Sequence, residues 1–213
     1  MRDCKFLLAD NRMAIVLEAF LSRPDAHKLL KTAPFQYSAK EDLLICPWKD
    51  SGVYHQSSEL LRPYLRSHAH ALIVQDAEWA GSPGAEEINQ HISEQMIANG
   101  WEKGRFEVVV IDPELEIWMW QDHPKVAEAF GYDKEKPFRP WLAEKGLWPE
   151  NSAKPGRPKE AVEEVVKTLG KPKIAKTVYK KICSSVPIKA CVDSSFLKFV
   201  QTLCGWFPQK KCK

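Results

Sequence analysis

Apolar residues along this chain gather in short, unbroken runs. Residues 5–9 end in Phe6-Leu7-Leu8-Ala9, and Leu43-Leu44-Ile45-Cys46 follows. Ala71-Leu72-Ile73-Val74 comes next, then Phe106 to Ile111 around Val108-Val109-Val110. Uniformly apolar runs suit strands buried on both faces, where a half-exposed strand would alternate. Between them the spacing becomes helical. Met13, Val16, Leu17 and Phe20 follow the first run. Leu60, Leu61, Tyr64 and Leu65 follow the second, with Ser57 or Ser58 as the cap, and Ile88, Ile92, Met96 and Ile97 follow the third. The Gly81–Gly84 loop opens that last helix and Gly100 stops it. Strand and helix in alternation predict an α/β fold: a mostly parallel sheet of four to five strands flanked by helices.

Beyond residue 112 the texture changes. Asp112-Pro113 reads as a helix cap and first helical residue, leading through Leu115, Trp118 and Met119. Short helices are expected at 124–130, 138–145, 158–169, 173–183 and 193–206, punctuated by prolines such as Pro137, Pro149, Pro155 and Pro172. The division this suggests is an α/β domain over 1–122 and a helical, basic region over 123–213 packed on it.

Charge sharpens that division. Residues 1–150 hold 17 Lys/Arg against 24 Asp/Glu, whereas residues 151–213 hold 14 against 4, inside a chain of net charge +3. A basic half implies an anionic partner, DNA or RNA. Lys173, Lys176, Lys180 and Lys181 are the candidates; the first three, at i, i+3, i+7, would follow a phosphate backbone from one helical face. No apolar run reaches the length of a membrane span and no cleavable leader is evident, so a cytoplasmic protein without a membrane partner is expected. Cys4, Cys46, Cys183, Cys191, Cys204 and Cys212 show no metal-site spacing and read as reduced thiols. Of the eight tryptophans, Trp118, Trp120, Trp141, Trp148 and Trp206 read as packing anchors. His68 and His70 read as surface or strand-edge residues, and His123 as a helix-end residue.

The acids fall where chemistry is done. Asp10 follows the first strand, Asp76 and Glu78 the third, and Asp112 and Glu114 the fourth. Parallel strands bring their C-terminal ends to one edge, the edge where open α/β sheets bind ligands. Carboxylates there suit Mg²⁺, which would activate water for phosphoryl chemistry. Asp10, Asp76 and Glu78 are therefore the candidate metal and catalytic residues.

Three segments also carry a resemblance: Phe6 to Asn11, Ile73 to Gly81, and Asp112 to Trp120. With Lys154-Pro155, Pro158-Lys159-Glu160-Ala161, Tyr179, Cys191, Ser195-Phe196 and Trp206-Phe207-Pro208, they make most of the chain similar to a Toprim-like group of bacterial proteins. That resemblance implies a Toprim-like sheet and metal-dependent phosphoryl transfer on nucleic acid. It also implies a place in bacterial anti-phage defence, including a methylation-associated system, with other defence proteins as partners. One departure stands out. The family's general acid/base is a Glu near the end of the first strand, and Ala9 occupies that position; Asp10 lies one residue on, which in a strand is the opposite face. Three functions follow: a Mg²⁺-dependent defence enzyme, a non-catalytic assembly or sensor subunit with a degenerate Toprim-like fold, and a nuclease using other acids such as Glu114 or Glu116.

Overall fold

The computed structural model describes residues 1–188 and 191–209; Cys212 lies outside them. Four strands form one sheet: β1 (Arg2–Leu8), β2 (Leu43–Ile45), β3 (His68–Asp76) and β4 (Phe106–Ile111), in the order β2-β1-β3-β4. Every pairing is parallel, with Phe6 beside Leu43, Leu7 beside Ile73 and Val74 beside Val109. The expected α/β architecture is thus what the chain adopts, with four strands and no antiparallel member among the described residues. Phe6, Leu7, Leu72, Ile73, Val108 and Val109 are all fully or almost fully buried, the burial that non-alternating runs require.

Helices α1 (Asn11–Leu21), α2 (Ala26–Leu30) and α3 (Ala39–Asp42) connect β1 to β2; α4 (Lys49–Leu61) crosses back to β3, and α5 (Ala85–Ala98) leads to β4. The first connection runs one way across the sheet and the next two run the other. Right-handed crossovers then place α1 on one face and α4 with α5 on the opposite one. The direction in which successive strands are added reverses between β1 and β3, a topological switch point.

Six short helices follow: α6 (Glu116–Met119), α7 (Pro124–Phe130), α8 (Phe138–Glu144), α9 (Pro158–Thr168), α10 (Lys176–Ser185) and α11 (Ser194–Trp206). Helix α10 packs on α1 and α11 on β4. Tryptophans fasten this region. The Trp118 indole N–H donates to Ser195 Oγ at 2.7 Å, and its ring meets Phe196 edge-on. Trp120, fully buried, donates to the Pro158 carbonyl at 2.9 Å and stacks on Phe130. One continuous apolar cluster runs from Cys4 to Leu203, so both halves of the chain share a core.

Several local expectations are corrected. Ser57 and Ser58 do not cap a helix; they lie buried in the last turns of α4, which starts at Lys49, and a 3-10 turn over Arg62–Tyr64 accommodates Pro63. Asp112 does not cap the segment after β4. It is exposed, its bond to Pro113 is cis, and the helix begins only at Glu116. His123 caps the start of α7, accepting from the Lys125 N–H, because Pro124 sets the first helical turn behind it. His68 is buried inside β3 and lies 3.4 Å from Asp42, while His70 stacks on Trp206. Lys173 precedes α10 and does not continue its face; the helix starts at Lys176, four residues after Pro172.

Candidate functional site

Asp10 leaves β1 in extended backbone and caps α1, its carboxylate accepting from the Arg12 and Met13 N–H groups at 2.8 and 2.9 Å. Asp76 closes β3, the neighbouring strand, and accepts from the Leu115 N–H at 2.8 Å, which ties the end of β3 to the loop after β4. Its own N–H donates to Asp50, in the first turn of α4, at 2.9 Å. The structure therefore brings Asp10 and Asp76 to the switch point and adds Asp50, whose place no spacing in the chain announces.

Two more acids close the group. Glu116 is buried at the start of α6, accepting from the Tyr179 hydroxyl at 2.6 Å and meeting Arg12 at 3.5 Å. Glu114 accepts from the Lys159 backbone N–H at 3.2 Å and pairs with its ammonium at 3.5 Å. The Asp76 carboxyl is pushed well above the ordinary aspartate range by burial first, then by Asp50, Glu116, Asp10 and Glu114. Burial likewise raises Asp50 and Glu114, with Lys159 opposing the rise at Glu114.

Glu78 stands apart. It is exposed, its N–H donates to the Pro113 carbonyl at 3.0 Å, and it lines a separate cavity with Trp79 and Asp112. Two residues beyond the strand end, the chain has already turned away from the switch point. Among the described residues no three Asp, Glu, His or Cys side chains stand as a group fit to hold a metal ion. Of the three expected metal residues, Asp10 and Asp76 stand together at the switch point and Glu78 lies beyond it, beside Trp79 and Asp112. The position before Asp10 supplies no acid: Ala9 is fully buried, its N–H bound to the Val74 carbonyl at 3.2 Å.

Cations border the acids on one side. Arg12 and Lys159, already paired with Glu116 and Glu114, line a cavity that continues between α9 and the approach to α10, where Lys173 stands. Lys176 and Lys180 line a second groove, between α10 and α1, that also holds Glu18 and Arg23. Lys180 and Lys181 are exposed. The four candidate lysines are thus spread over adjoining grooves and an open helix surface. Five cysteines, Cys4, Cys46, Cys183, Cys191 and Cys204, are free and dispersed; the Cys183 thiol is pushed up to about 12 by burial, so it is inert as a nucleophile near neutral pH. Lys154 is turned inward, donating to the Ile117 and Trp120 carbonyls, and serves as a clamp on α6. No helix is long and apolar enough to cross a membrane, among the described residues. Comparison with family models, with curated proteins and with solved structures finds no match.

Proposed function

We propose that this chain is a Toprim-like component of a bacterial anti-phage defence system that engages nucleic-acid phosphate beside the C-terminal edge of its sheet and does not hydrolyse it. The reading is supported by the parallel β2-β1-β3-β4 order, by acids at the ends of β1 and β3, and by the motif resemblance. One observation carries the non-catalytic half of it: the rim carboxylates are already engaged by the chain's own donors. Asp10 is held by α1, Asp76 by Leu115, Glu116 by Tyr179 and Glu114 by Lys159, while Ala9 stands where a general acid would be needed. Each of these bonds fixes a carboxylate against its own chain, and no acid stands at the position the resemblance gives to the general acid/base. The cations beyond the rim supply the electrostatic attraction for a phosphate backbone.

Fluorescence anisotropy with a labelled single strand tests it. Binding without added metal is expected, weakening as salt rises, with the strand intact after prolonged incubation. Mg²⁺- or Mn²⁺-dependent cleavage that disappears in Asp76→Ala would sink the non-catalytic reading.

A second reading, a metal-dependent enzyme, is favoured by one feature, the crowding of Asp50 and Asp76. A divalent cation drawn between them would relieve their repulsion. Under that reading Mg²⁺ raises the melting temperature of the wild type and leaves Asp76→Asn unchanged, a comparison made by differential scanning fluorimetry.

A further inference from the structure

The cavity that begins at Arg12 and Lys159 has a volume of about 470 Å³, within the roughly 300–1,000 Å³ typical of small-molecule sites. Its walls are cationic. Arg12 comes from α1, Lys159 and Lys167 from α9, and Lys171 and Lys173 from the segment between α9 and α10. Against these five stand two acids, Glu116 and Glu163. Arg12 is paired with Glu116, Lys159 with Glu114 and the exposed Lys167 with Glu164 at 3.8 Å, so an entering anion would share these cations with their acids, surface pairs that hold weakly in water.

The floor is of a different kind. Val162 and Val166, on the buried stripe of α9, lie with Ile174 and the Tyr179 ring along the cavity. Gly170, at φ +65°, makes the left-handed turn that ends α9 and brings Lys171 and Lys173 round to face that floor's rim. Lys171 is fixed in place by donating to the Phe130 carbonyl at 2.5 Å. Apolar floor, aromatic edge and a clustered cationic mouth are complementary to a ligand with a flat, weakly polar body and a compact multiple negative charge.

We infer that this cavity binds a nucleotide, a nucleoside di- or triphosphate or the phosphorylated end of a strand, with its phosphates at Lys167 and Lys173 and its base over Val162, Val166 and Ile174. The inference rests on the phosphate-engaging reading above and gives it a defined pocket. The floor separates it from a plain basic surface, which would take phosphate alone.

Isothermal titration of the full chain with ADP, adenosine and inorganic pyrophosphate tests it, with single-strand binding by anisotropy run in parallel. ADP is expected to bind more tightly than either fragment, and Lys167→Glu and Lys173→Glu each to weaken it roughly tenfold. Both positions are exposed, so circular dichroism is expected to show unchanged folding; Lys40→Glu, elsewhere on the surface, serves as the charge control. A 5′-phosphorylated dinucleotide competing with ADP would assign the pocket to strand ends, and its failure to compete would assign it to free nucleotides. Pyrophosphate binding as tightly as ADP would overturn the inference, because the floor would then contribute nothing. Absence of ADP binding while the strand still binds would overturn it and leave the broader reading standing. Failure of both would remove both.

Discussion

At Asp76 a half-buried strand end meets four other carboxylates, and the result is a group that ionises reluctantly. The folded chain holds a proton there that the unfolded chain, with its ordinary value of 3.8, releases. More protons bound in the folded state means that stability declines as pH rises from that ordinary value through the raised one, and stays lower above it. Asp76→Asn cannot ionise, and its amide oxygen still accepts from the Leu115 N–H. The variant is therefore expected to melt above the wild type at neutral pH, by about 2–4 °C for each kcal/mol relieved, with the gap closing in acid. Thermal melts across pH 4–8 check this; a variant less stable at pH 7 would show that the ionised form is supported by a counter-charge. Asp42 behaves oppositely. Burial alone would raise it, but the Arg2 guanidinium at 2.5 and 2.7 Å, the Ser38 N–H and His68 outweigh that and hold it below the usual range. Its contribution to stability is present above the unfolded value and fades as pH falls through the folded one.

Among the elements, α7 and α9 are legible in the chain to within a residue, because Pro124 and Pro158 mark first turns and Gly131 and Gly170 mark ends. Helix α4 is not. The positions it buries include Gly52, Ser57 and Ser58, small residues chosen for close approach to neighbours, and an apolar-periodicity reading passes over them. A Cβ at Gly52 would stand 2.6 Å from the Cys46 sulfur, which shows how near α4 passes to the end of β2. Helix α10 shows the converse: its lysines are obvious and their geometry is not, since Pro172 delays the helix and strands Lys173 outside it. Reversing Lys180 and Lys181 together is expected to lower the slope of log K against log salt for single-strand binding by about 1.4, about 0.7 for each phosphate contact. An unchanged slope would remove α10 from the interface.

Taken as one molecule, the two charge-distinct halves share a core. Trp118 and Trp120 belong to the stretch before residue 123, yet their partners Ser195, Phe196, Pro158 and Phe130 all lie after it. Unfolding is accordingly expected to be a single cooperative transition, with calorimetric and van't Hoff enthalpies equal. Trp120→Ala, at a fully buried site, is expected to cost about 3–5 kcal/mol and to shift that whole transition. Two resolved transitions in calorimetry would mean that the C-terminal helices unfold independently of the sheet.

The chain by itself determined the layer architecture, for a physical reason: strands buried on both faces must be apolar throughout, and that pattern survives any detail of packing. It also determined that acids follow β1 and β3, since both sit where a strand must end. Only the tertiary structure decided which acids meet. Asp50 joins Asp76 because α4 crosses back over β1, and Glu78 leaves because the loop hydrogen-bonds to Pro113. Tyr179 reaches Glu116 across 63 residues, and Arg12 reaches it across 104. Spacing along a chain carries no signal for such meetings, because crossover direction and helix docking set them, and those depend on the core as a whole.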